Sequence, residues 1–549
     1  MKKLRFLAVA LASVCVMPMF GCSNSNDGFD ESVDKNRTQI YISHFNGGVG
    51  NSWYKPLKER FEKAYENYEL NGKKGVQLLI SNHKTSGGQE INSVSVSKMD
   101  VFFSDDFDYY AGVNKNIFLE ITDAVTGNNS DGKTIESKLS PEQKKYFNYN
   151  GKYYAIPHYA YYGGLNYNVD LFDDELLYFA ADKDNGNEGF IIDLDDVKSN
   201  GPDGQAGTYD DGLPATYDEF FKLCDKMVDS NIIPFTWSGE YGKAYFRAFL
   251  SRLMATYEGK EQTMMNFTYN GTATHLIKEI KDDGTVVFEE PTTITMANGS
   301  DIYSSAGRYY ALKFGEEIFS KKDYYDYSNV KKSTDSHTDA QMRYVLSYYE
   351  KTTNKPIAFL IDGSYWENEA NDVGTFTYLY SKKHISREDT RFGYLPMPRV
   401  DESHVGNGKE VMIENGSSLF FINANVKERC PEKIDLLKEF LQFVNTDESL
   451  VEFVVNTNSF KALNYDLTPA QENQLSFYTR TVLEARRNSD VVFPNDNNEK
   501  YINKRPSLNM ASTFDSDTWG FALTALSEGV SAKDYFKNIE RNLKTKWSD

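Results

Sequence analysis

Residues 38–61 read "TQIYISHFNGGVGNSWYKPLKERF" and join an alternating apolar segment, a glycine-rich loop and an amphipathic segment. The first eight residues predict a strand, and the apolar spacing after Tyr54 predicts a helix. The segments "GVQLLISN" and "DVFFSDD" then predict two further strands. Strands that alternate with helices are typical of a parallel α/β sheet, in which ligands bind beyond the carboxyl ends of the strands.

The glycine-rich loop "NGGVGNSW", residues 46–53, has the setting of a phosphate-binding loop but not its pattern. The spacing GxGxxG, counted from Gly48, requires glycine where Trp53 stands, and no Gly-Lys-Ser or Gly-Lys-Thr follows. Glycines still allow the backbone to approach a ligand closely and leave N–H groups free. We therefore expect this loop to form one wall of a ligand cleft.

The composition indicates a large, acidic, globular protein. A chain of 549 residues exceeds what one hydrophobic core usually organises, so at least two lobes are expected. The apolar content of 40% excludes a disordered chain, and the net charge of -20 argues against a nucleic-acid partner. The 38 tyrosines have two readings, a semi-buried surface or a site for a ligand with both apolar faces and hydroxyl groups.

The first 22 residues, "MKKLRFLAVALASVCVMPMFGC", have the form of a secretory signal, with a basic start and an apolar core too short to span a membrane. The following segment "SNSNDGFDESVDKN" has too little apolar content to fold. This arrangement resembles a bacterial lipoprotein with a signal peptide at 1–21, a lipidated Cys22 and a flexible tether at 22–37. Met19 and Phe20 depart from the usual pattern, so an ordinary secretory signal is the alternative.

No metal, cofactor or disulfide is expected from the sequence. Beside Cys15 and Cys22 the chain has Cys224 and Cys430, without a CxxC motif. Cys224 lies on an apolar helical face in "EFFKLCDKM" and is predicted to be a core thiol. The segment "DKDNGNEG", residues 182–189, is similar to a calcium loop, but Gly186 stands where a liganding side chain belongs. A solvated turn is favoured there.

The later segments repeat the alternation of strands and helices. Their order resembles the extracellular solute-binding proteins of ABC transporters, in the carbohydrate-binding family that includes maltose-binding protein. The resemblance rests on the glycine loop, on "DVFFSDD", on the crossing segment "IPHYAYYGGLNYN", on "IIPFTWSGEY", "AFLIDGSYWENE" and "FGYLPMP", and on the helix "KIDLLKEFLQFVNTDESLVEF". The chain is longer than is common in that family, and an acidic insert after Phe190 accounts for part of the excess.

The resemblance implies a two-lobed periplasmic-binding-protein-like fold of the α/β class. Each lobe is expected to be a mostly parallel sheet flanked by helices, and hinge crossing strands join the lobes. The N-terminal lobe would comprise 38–157 and 414–463, and the C-terminal lobe 158–413 and 464–549. The implied function is capture of a carbohydrate, in particular an oligosaccharide, in the inter-lobe cleft and its delivery to an ABC transporter permease. We expect a monomer, without enzymatic activity, that is lipid-anchored to the outer face of the bacterial cytoplasmic membrane.

A sugar presents apolar C–H faces, which aromatic rings cover, and hydroxyl groups, which carboxylates and amides bind. The resemblance ranks Tyr365 and Trp366, beside the Gly-Ser turn, as the strongest stacking candidates. For each tryptophan, core packing is the alternative, as hinge packing is for Tyr161 and Tyr162 and helix capping is for Asp105. The full set of predicted ligand-binding residues is Asn46, Trp53, Ser104, Asp105, Tyr161, Tyr162, Trp237, Glu240, Tyr241, Tyr365, Trp366, Glu369 and Trp519.

Two other classes of function stay open at this point. A glycosidase requires two carboxylates across one bond, but Glu367 with Glu369 are only neighbours in sequence, and no HExxH or GxSxG motif is present. A binding protein for a non-sugar solute, such as a peptide or a polyol, is the nearer alternative. Few basic residues occupy the candidate loops, although Lys84 and Lys243 keep a uronic acid open.

Overall fold

The computed structural model describes residues 29–83, 91–350, 355–508 and 512–548, with the side chains of 505–508 and 512 excepted. The predicted signal peptide, Cys15, the predicted lipid anchor Cys22 and Lys84 lie outside the described residues. Among the described residues, no helix combines the length and the apolar composition that crossing a membrane requires.

Helices and strands alternate over most of the described chain. The longer helices are α1 (Tyr54–Ala64), α2 (Tyr217–Asp229), α3 (Gly242–Thr268, interrupted at Gly259), α4 (Ala306–Ile318), α5 (His337–Tyr349), α6 (Thr375–Lys383), α7 (Ile434–Val444), α8 (Asp447–Thr457), α9 (Phe477–Asn488), α10 (Glu499–Leu508) and α11 (Ala532–Ser548). Shorter helices are Tyr109–Asn114, Thr122–Thr126, Pro141–Phe147, Val169–Asp174, Tyr327–Val330, Trp366–Asp372, Val426–Arg429, Pro469–Glu472 and Ala522–Ser527.

The strands form two central sheets and several two-stranded ribbons. The sheet strands are β1 (Thr38–Phe45), β2 (Val76–His83), β3 (Val101–Ser104), β4 (Ile156–Pro157), β5 (Gly163–Asn168), β6 (Ile233–Thr236), β7 (Ile357–Gly363), β8 (Phe392–Tyr394) and β9 (Leu419–Ile422). The ribbons pair Glu69–Leu70 with Lys73–Lys74, Tyr159–Ala160 with Phe460–Lys461, Gly271–Ala273 with Thr292–Ile294, Ile277–Ile280 with Val286–Phe288, Val411–Ile413 with Asp490–Val492, and Asp515–Ser516 with Gly520–Phe521.

The first sheet has the order β2-β1-β3-β9-β4 and forms the centre of the first lobe. β1 pairs in parallel with β2 and β3, whereas β9 is antiparallel to β3 and β4. One strand, β9, therefore runs against the other four. The strands of this first sheet are apolar and largely buried, as expected for a sheet covered on both faces.

The second sheet has the order β8-β5-β7-β6 and forms the centre of the second lobe. β7 is parallel to β6, and β5 is antiparallel to both β7 and β8. The reversed strand of each sheet is thus the first one that the chain forms after it crosses from the other lobe. The predicted mostly parallel sheets are confirmed, with this one reversed strand in each.

Helix starts follow from local side-chain chemistry. Thr216 accepts a hydrogen bond from the backbone of Glu219 at the start of α2, at 3.2 Å, which satisfies an N–H that the helix leaves without a partner. On the same helix Cys224 is buried beside Leu223 and Met227, and this burial raises the pKa of its thiol. The prediction of a core thiol is confirmed.

The carboxyl-terminal part of the predicted tether at 22–37 packs on the first lobe. Phe29 is buried, and its ring centroid lies 5.2 Å from that of Tyr41. The backbone of Asp30 donates to the carbonyl of Ile80 at 3.2 Å. The ring of Phe29 and the backbone hydrogen bond from Asp30 to β2 hold this part of the segment against the lobe, although the overall composition of the segment did not indicate folding.

Candidate functional site

The loops that follow β1, β3 and β7 meet between the two sheets. The glycine-rich loop after β1 touches the loop after β7, and the rings of Tyr161 and Tyr365 lie 5.1 Å apart at 84°. Tyr161 belongs to the segment that crosses between the lobes, and Tyr365 belongs to the second lobe. This cleft lies at the carboxyl ends of parallel strands, where α/β sheets bind ligands.

Two glycines shape the wall of the cleft on the first lobe. Gly48 and Gly50 have φ angles of +70° and +71°, which residues with a Cβ atom rarely adopt. A Cβ atom on Gly48 would lie 2.8 Å from Cβ and Cγ of Tyr365, and one on Gly50 would lie 3.0 Å from Oδ2 of Asp372. The glycine loop is thus a site of close approach between the two lobes.

Four tyrosines, here called the tyrosine cluster, line the cleft: Tyr161, Tyr241, Tyr245 and Tyr365. Tyr241 and Tyr245 lie one helical turn apart at the start of α3, with ring centroids 6.2 Å apart and an interplanar angle of 27°. Tyr241 is 44% exposed, and the other three are partly buried. Burial raises the pKa of Tyr161, Tyr245 and Tyr365 well above the ordinary value, so their hydroxyl groups remain hydrogen-bond donors.

Carboxylates adjoin the tyrosine cluster from both lobes. On the second lobe, Nε2 of Gln341 donates to Oδ2 of Asp362 at 3.1 Å and to Oε2 of Glu369 at 2.9 Å. His337, at the start of α5, places its Nε2 atom 3.6 Å from Oε1 of Glu369. On the first lobe, Asp105 directly follows β3. Such groups accept hydrogen bonds from ligand hydroxyl or amino groups.

The protonation of these carboxyl groups depends on their burial. The pKa of Asp105 is raised to about 6, and burial is the largest cause. A hydrogen bond from the backbone N–H of Asp106 acts to lower this pKa, whereas the charge of Asp106 acts to raise it. Burial also raises the pKa of Asp362 well above its ordinary value, and the charge of Glu369 adds to this. Both shifts arise from carboxylates held in a poorly solvated region.

Several buried polar atoms of the cleft have no hydrogen-bond partner among the described residues. They are Oδ1 of Asp105, Oε1 of Gln341 and Nδ1 of His337. A buried polar group without a partner costs about 1–3 kcal/mol. A ligand that carries polar hydrogens and oxygens would recover part of this cost.

The pKa of Asp105 leads to a prediction for stability. The pKa is about 6 in the folded protein and 3.8 ordinarily, so the folded state holds more protons between these values. The contribution of Asp105 to the free energy of unfolding therefore falls as the pH rises from about 4 to 6. We expect Asp105→Asn to remove this falling contribution, so the slope of the free energy of unfolding against pH becomes more positive than in the wild type in this window.

The matched control for this experiment is Asp283→Asn. Asp283 is exposed, and the backbone N–H of Thr285 lowers its pKa. This variant is expected to leave the slope between pH 4 and 6 as in the wild type. An unchanged slope in Asp105→Asn as well would contradict the assigned environment of Asp105.

The structure brings together a part of the predicted site. Asp105, Tyr161, Tyr241, Tyr365 and Glu369 lie in the cleft. Asn46 is partly buried in the glycine loop, and its backbone donates to the carbonyl of His83 at 2.7 Å. Ser104 is buried at the end of β3, and Glu240 is exposed next to Tyr241. The binding roles of these side chains stay predictions.

Three of the predicted tryptophans are packed inside the lobes. Trp53 lies among His44, Phe103 and His158, with ring centroids 5.2–5.7 Å apart. Trp237 is buried, and Trp366 is 0% exposed. In this structure none of these rings presents a face to the cleft, because a large apolar indole stabilises a lobe most when it is fully buried.

Tyr162 and Trp519 lie away from the cleft lining for different reasons. Tyr162 is buried in the hinge, where its backbone carbonyl accepts from the backbone of Ser364 at 2.8 Å. Trp519 is 38% exposed on a short hairpin, and its ring stacks on Tyr535 with centroids 6.3 Å apart. We therefore do not include either side chain in the site proposed below.

Sequence reasoning missed Tyr245, His337, Gln341 and Asp362. Asp362 is the penultimate residue of β7, so a search for polar side chains at the carboxyl ends of strands would have found it. Tyr245 lies four residues after Tyr241, a spacing that shares a helix face. His337 and Gln341 share the same spacing on α5, but no sequence signal places that helix beside the cleft.

Two alternatives raised by the sequence can be located in the structure. Glu367, a possible glycosidase partner of Glu369, is buried and accepts a hydrogen bond from Oγ of Ser476 at 2.6 Å, and it pairs with Arg387. In the segment "DKDNGNEG", Asp182 accepts from the backbone of Asp184 at 3.0 Å, as in a polar turn. Among the described residues, no group of three acidic, histidine or cysteine side chains is placed to hold a metal ion.

Comparison with known proteins shows the fold. No family model and no curated protein sequence matches the chain. A chitin oligosaccharide binding protein superposes with a TM-score of 0.56 at 15% identity, over 94% of this chain and 100% of that chain. Maltose-bound MalE3 of T. maritima gives 0.52 at 14% identity, over 92% and 99%. A probable secreted solute-binding lipoprotein from Streptomyces coelicolor gives 0.51 at 12% identity, over 94% and 100%. The chain has the two-lobed α/β fold of these proteins, as predicted.

Proposed function

We propose that the protein captures a carbohydrate, in particular an oligosaccharide, in the cleft between its lobes and delivers it to the permease of an ABC transporter. The observation that carries the proposal is the meeting of the tyrosine cluster with carboxylates of both lobes at the carboxyl ends of the sheets. Two proteins of the same fold are described as a chitin oligosaccharide binding protein and as maltose-bound.

The chemistry of the cleft suits a polyhydroxylated ring. Tyr161 and Tyr365 meet edge to face, so their rings line two differently oriented walls. Their hydroxyl groups stay protonated and donate, while Asp105 and Glu369 accept. Apolar faces and hydroxyl groups of one ligand are thus met by neighbouring side chains.

The proposal extends to the setting in which the protein works. A signal peptide at 1–21 and a lipidated Cys22 would place it, as a monomer, on the outer face of the cytoplasmic membrane. The lobe limits near 157, 413 and 463 remain part of the proposal. Binding without catalysis is the expected activity, because Glu367, the carboxylate considered as a glycosidase partner of Glu369, is engaged by Arg387 and Ser476.

A calorimetric and thermal-shift screen over mono- and oligosaccharides tests this function. A ligand that binds the native state raises the unfolding midpoint. The expected result is a raised midpoint and a measurable Kd with at least one oligosaccharide, without release of reducing sugar. A shift with peptides or polyols and with no sugar would overturn the carbohydrate proposal, and release of reducing sugar would indicate an enzyme.

Tyr365→Ala is expected to weaken oligosaccharide binding about tenfold. The ring lies at the contact of the two lobes, and an aromatic contact contributes about 0.5–1.5 kcal/mol beyond the area that it buries. Titration calorimetry measures the change in Kd. The control is Tyr380→Ala, whose ring is exposed on α6 and outside the cleft. Equal affinity of both variants and the wild type would exclude Tyr365 from the site.

A further inference from the structure

We infer that the ligand of the cleft is a sugar with a protonated amino group, held by Asp362, Gln341 and the tyrosine cluster. This inference rests on the proposed function and names its substrate class. It is carried by the acceptor-rich surroundings of Asp362 and by a buried acceptor atom that lacks a donor.

The charged groups that act on the tyrosine cluster are carboxylates. Burial is the largest cause of the raised pKa of Tyr161, and the charges of Asp105 and Asp106 raise it further. Burial is likewise the largest cause for Tyr245, whose pKa the charges of Asp362 and Glu369 raise further. The pKa of Tyr365 is raised mainly by burial, and then by Tyr245 and by the charges of the same two carboxylates, Asp362 and Glu369. A ligand in the cleft is thus exposed to negative charge from both lobes.

The lysine and arginine side chains close to the second-lobe wall are engaged elsewhere, and the histidine of this wall, His337, contacts Glu369. Arg343 of α5 pairs with Asp326 and Asp335, each at 2.7 Å. Lys243 of α3 places Nζ 5.0 Å from the ring centroid of Phe521. Among the described residues, no lysine or arginine forms an ion pair with Asp105 or with Asp362. A bound cation would be the natural partner of these carboxylates.

The hydrogen-bond inventory around Gln341 points to a donor on the ligand. Gln341 is 0% exposed, and its Nε2 group is shared between Asp362 and Glu369. Its Oε1 atom is buried and has no donor among the described residues. An ammonium group offers three donors and no acceptor, which matches one amide oxygen beside carboxylate oxygens. A neutral hydroxyl group would supply one donor and bring no charge.

The aromatic rings add to the preference for a cation. A positive charge near the face of a tyrosine ring gains about 0.5–2 kcal/mol, depending on how far the site is desolvated. Tyr245 and Tyr365 adjoin Asp362, so an ammonium group at this point would meet a ring and a carboxylate together. The remaining hydroxyl groups of the sugar would reach Tyr161 and Asp105.

Binding of such a ligand should lower the pKa of Asp362. Asp362 is surrounded by Gln341, Glu369, Tyr245 and Tyr365, and burial with the charge of Glu369 raises its pKa well above the ordinary value. A bound ammonium group favours the carboxylate, so a proton is released to the buffer at any pH at which Asp362 is protonated in the free protein. Calorimetry in buffers of different ionisation enthalpy, repeated over a range of pH, measures this release.

The experiment compares a glucosamine oligosaccharide with its N-acetylated counterpart of equal length, because the two differ in the charge of the nitrogen. At pH 7 we expect the amino form to bind at least tenfold tighter than the N-acetylated form. A uronic acid oligosaccharide is expected not to bind. Above the pKa of the ligand amine, the advantage of the amino form should disappear.

Variants separate the inference from overall folding. Asp362→Asn is expected to remove most of the tenfold preference and the proton release while binding of the N-acetylated form changes less than threefold. Asp283→Asn, on a remote exposed turn, should leave both ligands unaffected. If Asp362→Asn does not fold, the wild-type preference for the amino form at pH 7 and its loss above the pKa of the ligand amine decide the question.

The outcomes distinguish the two proposals. Equal or tighter binding of the N-acetylated form, or of the uronic acid, overturns the amino-sugar inference and leaves sugar capture intact. An equal preference for the amino form in Asp362→Asn and in the wild type also overturns it, because Asp362 would then not be the partner. Binding of no sugar at all overturns the proposed function itself.

Discussion

Trp366→Ala is expected to lower the free energy of unfolding by about 3–5 kcal/mol, as found for large-to-small changes of buried aromatic residues. Trp366 is 0% exposed, and its ring centroid lies 5.0–5.4 Å from those of Tyr344, Phe392 and Tyr478. These rings belong to α5, β8 and α9, so the indole holds three elements of the second lobe together. Urea unfolding of the purified protein measures the change.

Trp519→Ala is the matched control for this variant. The same indole is removed, but Trp519 is 38% exposed. Among the described residues, Tyr535 is the one aromatic residue whose ring contacts that of Trp519. Its loss is expected to cost less than about 1 kcal/mol. If Trp366→Ala unfolded like the wild type and lost sugar affinity instead, Trp366 would be a stacking surface, as the family resemblance suggested.

Gly48→Ala is expected to weaken sugar binding by about 2 kcal/mol, or about thirtyfold, because it interferes with the approach of the two lobes. The added Cβ atom would lie 2.8 Å from Cβ and Cγ of Tyr365. These atoms lie near the backbone of Tyr365, so a side-chain rotation does not relieve the contact. Titration calorimetry with the oligosaccharide identified in the screen measures the change.

Gly72→Ala separates closure from backbone strain. Gly72 has a φ of +75°, close to that of Gly48, but no atom lies within 4 Å of its added Cβ position. Both variants are expected to lose about 1 kcal/mol of stability from the left-handed conformation. Only Gly48→Ala should lose affinity, and equal affinities of the two would contradict the role of the glycine loop in lobe contact.

The sequence located those cleft residues that follow the ends of strands. Asp105 follows β3, and Tyr365 follows β7, so the rule for ligand positions in α/β sheets was sufficient for both. Gln341 and His337 were missed because they lie on a helix whose start approaches the cleft only through packing of the second lobe. Helical spacing shows that the two share a face, but not what that face meets.

The tryptophans show why the remaining assignments required the structure. Trp366 and Tyr365 are adjacent in sequence, yet Tyr365 borders the opposing lobe and Trp366 fills a core. Core and ligand cleft favour the same residue type, because a large ring covers apolar surface in either place. Neighbouring residues at the start of a helix point in different directions, so composition alone does not separate them.

The family resemblance and the length of the chain indicated two lobes, whereas the residues themselves predicted the alternation of strands and helices, the α/β class and the need for glycine after β1. These features follow from local rules, namely apolar periodicity and backbone conformation, which act over a few residues. The tertiary structure alone decided which aromatic rings are buried, that Phe29 packs on the first lobe, and that Gln341 links Asp362 to Glu369. Contacts between residues far apart in the chain depend on how whole elements pack, and no local pattern records that packing.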